Sequence, residues 1–221
     1  MALSFAPTTD FTDIVDGLEA VTLERKGATA TEITNALQRK IRTYEIASVT
    51  AAFTHGGTGG GLTYGDVRWH LPKSECTVTP RLGDKILDGS GARWTVLEVT
   101  EATMSTRWMC ICRNKAVVHG LNDTITIERA TYAKATSGVT EATWATWRTG
   151  VRARIQEVDA RAQAQVGKRE TRKQFDIFIE EDLDIKHTNR AKGPDGTYYR
   201  ILGYIGTDDI AGVQTIEAET W

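Results

Sequence analysis

Few residues in this chain have the types and spacing to do chemistry. Cys76, Cys110 and Cys112, with His70, could in principle supply sulfur and nitrogen ligands to zinc. Cys110-x-Cys112 is not the usual Cys-x2-Cys knuckle, and on a strand residues two apart share one face, so packing thiols are expected instead. An odd count of three cysteines also argues against a disulfide framework. The run His55-Gly56-Gly57-Thr58-Gly59-Gly60-Gly61 invites a phosphate-loop reading. It lacks the Gly-Lys-Ser/Thr ending that would meet phosphate and magnesium, since Leu62-Thr63 follows, so a supple tether or binding loop is expected. Glu180, Glu181, Asp182 and Asp184 crowd the end of a strand and could face a divalent cation. Their spacing is not that of an EF-hand, and a solvated acidic edge that discourages strand pairing is the expected role. None of the four histidines (His55, His70, His119, His187) lies in a Gly-x-Ser-x-Gly elbow or a His-Glu-x-x-His pair. The expectation is a protein that is not an enzyme, with no cofactor and no metal.

Charge is unevenly distributed. Arg148, Arg152, Arg154, Arg161, Lys168, Arg169, Arg172 and Lys173 stand against Glu157, Asp159 and Glu170, eight cations to three acids, a local excess of five. The acidic run at Glu180 follows at once. Three readings fit: a polar, solvated segment; a basic segment that meets the acidic edge of a neighbouring subunit; and sequence-neutral contact with DNA phosphates.

The whole molecule carries a net charge of -2, with 40% hydrophobic and 25% charged residues in 221. This balance fits a globular chain of one large or two small domains, not a generally basic nucleic-acid binder. No run of eighteen apolar residues exists, so no membrane span is expected. The stretch Met1–Gly17 has neither a basic start nor a continuous apolar core, so a secretory signal is not expected.

The elements that must position these residues are written twice. "VTLERKG" from Val21 is echoed by "ITIERAT" from Ile125, an offset of 104. Val67, Trp69 and Leu71 alternate with polar residues, as do Phe175, Ile177 and Ile179. Asp88-Gly89 is matched with Asp195-Gly196, an offset of 107, and each turn leads into an apolar strand: Trp94, Val96, Val99 against Tyr199, Ile201, Tyr204. Matching elements in the same order point to a tandem duplication. Strands are expected near 92–100, 106–113, 197–205 and 212–219, with another alternating through Val151, Ala153 and Ile155. The stretch 31–41, "TEITNALQRKI", fits a helical face through Ile33, Leu37 and Ile41, but the repeat makes 35–41 a strand. The Ala/Gln/Arg/Glu-rich stretch 157–167 is expected to be a short helix or helical loop ended near Gly167. The fold class expected is mainly β: two tandem small antiparallel β-barrels, each with a short helix or helical loop insert. The domains expected are an N-terminal arm over 1–20, a first barrel over 21–117 with its Gly-rich loop at 56–61, and a second over 118–221, the linker lying near 114–123.

These residues carry a family resemblance. "ITIER", "TWRTGVRARIQEV", "FDIFIEEDLDI", "DGTYYRILGY" and "TIEAE" in the second half resemble the small β-barrel head–tail joining proteins of tailed bacteriophages, the head-closure, stopper or adaptor group. "DVRWHLP", "PRLGDKILDGSGARWTVLEV" and "TRWMCICR" in the first half resemble the same group. The resemblance covers about nine tenths of the chain. It is a pattern of strands and turns without a catalytic motif, and it departs from simple members, which have one barrel. It implies a structural virion protein of the phage neck, made in the bacterial cytoplasm. Such a protein forms a ring between portal and tail, closes the head after DNA packaging, and offers the tail a docking surface. Implied partners are a portal or adaptor protein, a tail terminator or tail tube protein, copies of itself in a hexameric or dodecameric ring, and packaged DNA through its backbone. The Gly56–Gly61 loop and the basic segment around Lys168–Lys173 would then face neighbours or the channel. The competing class is an intracellular tandem-barrel binding module, with Trp144 and Trp147 beside Arg148, Arg152 and Arg154 gripping single-stranded nucleic acid or another ligand.

Overall fold

The computed structural model describes residues 16–41, 65–134, 138–158, 173–206 and 212–220. The chain divides into two compact units, the first ending at Val118 and the second beginning at His119. Each is a closed antiparallel barrel of six strands.

The first barrel contains β1 (Leu18–Glu24), β2 (Thr31–Lys40), β3 (Asp66–Pro72), β4 (Lys85–Leu87), β5 (Arg93–Glu101) and β6 (Arg107–Arg113). β1 begins at Leu18, inside the span expected for the arm. Strand order is β1-β2-β3-β6-β5-β4, closed by β4 pairing with β1. Period-two alternation sends Val21, Leu23, Ile33, Val67, Trp69, Leu71, Ile86, Val96, Cys110 and Cys112 inward, all buried. Burying each large apolar side chain contributes about 1.5–3 kcal/mol. Residues 35–40 lie in β2, as the repeat requires; the pairing of β2 with both β1 and β3 overrides the helical periodicity of Ile33, Leu37 and Ile41.

The second barrel contains β7 (Asp123–Lys134), β8 (Thr140–Val158), β9 (Gln174–Ile179), β10 (Asn189–Lys192), β11 (Tyr198–Ile205) and β12 (Gln214–Thr220). Its order, β7-β8-β9-β12-β11-β10, repeats that of the first strand for strand. The tandem duplication extends to register. Trp69 pairs with Cys110, and Ile177 with Ile216. Ile86 pairs with Trp94, as Ala191 pairs with Tyr199. The β5–β6 ladder slips by one residue between Val96 and Glu98, and β11–β12 slips at the equivalent place, between Ile201 and Gly203. Trp94 meets Trp69 edge-on at 6.5 Å, while its counterpart Tyr199 meets Phe175 at 5.1 Å.

Register corrects one alignment. Leu87 is equivalent to Lys192, so Gly91 rather than Gly89 corresponds to Gly196, an offset of 105. The backbone agrees: Gly91 has φ +82° and Gly196 has φ +87°, the left-handed turn position that glycine favours. Asp88 therefore opens its turn, its carboxylate accepting from Ser90 N, Ala92 N and Trp94 Nε1. Asp195 sits inside its turn and accepts from Thr197 N and Oγ1.

Helix is scarce among the described residues. A single 3-10 turn spans Thr103–Ser105, and α1 spans Lys115–Val118 in the expected linker. The Asn114 side chain accepts from Val117 N and so caps α1. The helix expected over 157–167 does not begin at 157. Glu157 and Val158 continue β8, paired with Phe175 and Gln174, because a ladder partner outweighs local helix propensity. Residues 159–167 lie outside the described residues. Among the described residues no helix is long and apolar enough to cross a membrane.

Candidate interaction surface

The two barrels differ most in their first hairpin. Val21 pairs with Ile33, twelve residues on, whereas the equivalent Ile125 pairs with Val151, twenty-six residues on. The fourteen extra residues lengthen β7 and β8 into a ribbon, about seven residues per strand and about 23 Å of added length. β10 pairs β7 only over Thr126–Arg129, and β9 pairs β8 only over Ala153–Val158. Beyond those points, apart from Ala130 N donating to Thr188 O at 3.3 Å, the ribbon has no ladder neighbour on its outer edges among the described residues, and it displays Tyr132 and Val139, each more than half exposed. Sequence reading missed this ribbon, although its signal was present in the Thr-rich stretch "RATYAKATSGVTEATWATW", which also carries Tyr132, Val139, Trp144 and Trp147.

Where the ribbon enters the barrel, β8 alternates as its sequence suggests. Val151 and Ala153 face the core, while Arg148, Arg152 and Arg154 are exposed. The Arg154 guanidinium lies 4.5 Å from the Phe178 ring and donates to His119 O at 3.1 Å. The Arg148 guanidinium lies 5.7 Å from the Trp147 ring. Lys173, just before β9, pairs with Glu157 of β8 at 3.1 Å, a local contact at the surface. Lys168, Arg169 and Arg172 lie outside the described residues, as do Gly56, Gly57, Gly59, Gly60 and Gly61.

The acidic run is not a uniform solvated edge. Glu180 is 4% exposed, its Oε1 without a hydrogen-bond partner, so it is unsuited to a surface contact. Glu181 is half-buried and Asp182 exposed. Asp184 is engaged within the chain, 3.6 Å from Arg129 and 3.5 Å from Lys186. Glu180 N donates to Arg152 O at 3.3 Å, so the start of the acidic run and the arginine row lie side by side within one barrel.

Trp144 pairs with Ala130 on β7, and Trp147 lies beside Arg148 of that row. Trp147 packs against the core, and the Arg129 guanidinium lies over it at 3.5 Å. Arg190 lies between the rings of Trp144 and Tyr198, at 4.2 and 4.1 Å, and its Nε donates to Glu128 at 2.6 Å. Guanidinium groups thus already cover one face of each tryptophan. The sequence could not show this, because Arg129 and Arg190 come from β7 and β10.

The cysteines are packing groups. Cys110 and Cys112 face the first barrel's core, while His70, between Trp69 and Leu71 on β3, faces the other side of the sheet. Burial pushes the Cys76 thiol up to about 11 and that of Cys110 to about 12, and holds that of Cys112 well above the ordinary thiol value, so none supplies a thiolate at neutral pH. Among the described residues no group of three or more His, Cys, Asp or Glu side chains is placed to hold a metal ion. No protein-family model matches the chain, and a search of curated proteins finds no match to it.

Proposed function

We propose that this protein is a structural component of a tailed-phage neck, a ring between portal and tail that closes the head after packaging and docks the tail. The observation that carries the reading is the pairing of a duplicated closed barrel with a ribbon and an exposed arginine row that, among the described residues, belong to the second copy alone. A closed barrel offers no free edge, so contacts between subunits fall to features added to it. On this proposal the ribbon and Arg148, Arg152 and Arg154 meet neighbouring subunits or packaged DNA. Six chains with two barrels each would present twelve similar units and bridge a twelvefold portal to a sixfold tail by closed cyclic symmetry. Quantitative mass spectrometry of purified particles, against portal and capsid proteins, tests it. About six copies per particle support the six-chain ring; about twelve keep the neck role and discard that ring. Absence from particles overturns the proposal and favours the intracellular binding module, for which salt-dependent affinity for single strands would be the positive sign.

A further inference from the structure

Beyond its base the β7–β8 ribbon is exposed on both faces. Thr131, Tyr132, Ala133 and Lys134 of β7, and Thr140, Glu141, Ala142 and Thr143 of β8, are all exposed. Two strands alone are marginal in water, and a third strand or a packed face is what makes such a sheet stable. Arg190, set between Trp144 and Tyr198, braces the ribbon at its foot, short of these residues.

Register shows which backbone groups the ribbon presents. Ala130 N donates to Thr188 O at 3.3 Å, so the N–H of Ala130 points away from β8. Peptide groups alternate along a strand, and β7 pairs with β8 without a shift from Glu128 to Lys134. Tyr132 and Lys134 therefore also turn their N–H and C=O outward. Across the ribbon they face Ala142 and Thr140 in non-hydrogen-bonded pairs, so these two residues turn theirs outward from β8. The ribbon thus has two outward edges at matching heights, one on each side. Among the described residues no ladder engages either edge at these four positions.

Such edges are usually blunted by proline, bulges or inward charges. Residues 130–146 hold no proline, and their pairing has no register shift. Their two charged residues, Lys134 and Glu141, are of opposite sign, so copies of the ribbon do not repel one another. We infer that the ribbon pairs edge to edge with the ribbon of a second copy of this chain, β8 of one against β7 of the next. The inference rests on the ring of the proposed function and names the contact that closes it. Ribbons lying side by side and pointing the same way set β8 antiparallel to the neighbour's β7. Tyr132 and Lys134 of one copy then stand level with Ala142 and Thr140 of the next, N–H facing C=O. A foreign strand would satisfy one edge and leave the other open, and a lone pair of copies would leave two open. A closed ring satisfies every edge, as barrel closure does within each unit.

The test is sedimentation velocity of the full chain at rising concentration, for the natural sequence, Ala142→Thr, Ala142→Pro and Tyr132→Pro. Proline at these positions removes an outward N–H and keeps the β7–β8 ladder, so each proline variant loses one edge. The natural chain and Ala142→Thr are expected to form a closed oligomer of about six copies. Each proline variant alone should stay monomeric, with a Tm within about 3 °C of the natural value. An equal mixture of the two proline variants should give a dimer, because each retains the edge the other lacks. A natural chain that is monomeric at every concentration, or a proline variant that assembles like it, overturns the inference. So does a mixture of the folded proline variants that stays monomeric. Copy number in particles separates this contact from the neck reading. Assembly in solution by a chain absent from particles keeps the ribbon contact and drops the neck. Ala142→Pro entering particles at the natural copy number keeps the neck and drops the contact.

Discussion

Arg25 grips Asp84 with both arms of its guanidinium, Nε at 3.1 Å and Nη2 at 2.7 Å, tying the end of β1 to the residue that precedes β4. In the second barrel the equivalent arginine, Arg129, is paired in register with Asn189. Arg129 Nε and both side-chain polar atoms of Asn189 are buried without a hydrogen-bond partner. One carboxylate thus separates the two copies of this contact.

That difference gives opposite expectations for mirror-image substitutions. Asp84→Asn should destabilise the protein by about 2 kcal/mol, because it strips the carboxylate from a partly buried pair. Asn189→Asp should stabilise by about 1 kcal/mol, by giving Arg129 Nε an acceptor. Urea unfolding of both variants decides it; a loss of stability in Asn189→Asp would refute the equivalence.

Stability should fall in mild acid through His70. Its pKa is about 6.5 in the unfolded chain and about 4 in the fold, so the unfolded state binds the proton first. The His70 contribution is intact above pH ~6.5 and is lost as pH falls toward ~4, a total of about 3 kcal/mol. In His70→Gln this component of the slope should vanish. Urea midpoints at pH 7, 5.5 and 4.5, read as the difference between the two proteins, measure it. Parallel curves would refute it.

The corrected turn alignment can be tested with alanine. Gly91→Ala and Gly196→Ala should each cost about 1 kcal/mol, from forcing a Cβ into the left-handed region. Gly89 has no such φ, and a Cβ there would meet only Ala20 O at 3.9 Å, an ordinary contact. Gly89→Ala should therefore be nearly neutral. If Gly89→Ala cost as much as Gly91→Ala, the alignment would fail.

Charge removal on β8 separates fold from assembly. Replacing Arg148, Arg152 and Arg154 together with Gln should shift Tm by no more than about 3 °C, since all three are exposed and only Arg154 loses a close ring contact. On the proposed function the same variant should enter phage particles at well under half the natural copy number, measured by mass spectrometry. Normal incorporation would exclude the row as a contact.

Much of the fold was legible because burial writes itself into a period of two. The pairings Val67, Trp69, Leu71 with Phe175, Ile177, Ile179, and Trp94, Val96, Val99 with Tyr199, Ile201, Tyr204, are those of the two ladders. The ribbon was hidden by arithmetic. The first hairpin of the second copy gains fourteen residues, but Val151 to Phe175 is ten shorter than Ile33 to Val67, so the overall offset barely moves. Strands β4 and β10, three and four residues long, are too short to show periodicity and exist because they close the barrels. A grouping of arginines on the first barrel was invisible for a different reason. Arg39, Arg68 and Arg107 are distant in sequence, and only the ladder makes them neighbours.

The matching slips after Val96 and Ile201 also set an order of events. One added residue in a closed ladder turns every side chain beyond it to the opposite wall, so such a kink survives only where its surroundings have adjusted to it. Finding it at the same place in both halves makes it older than the copying. A lone-barrel forebear already carried the irregularity and handed it intact to both descendants. The long ribbon, the three clustered arginines and the exchange between Asp84 and Asn189 separate the halves, so the changes that made them differ came after the copying, by gain in one half or loss from the other.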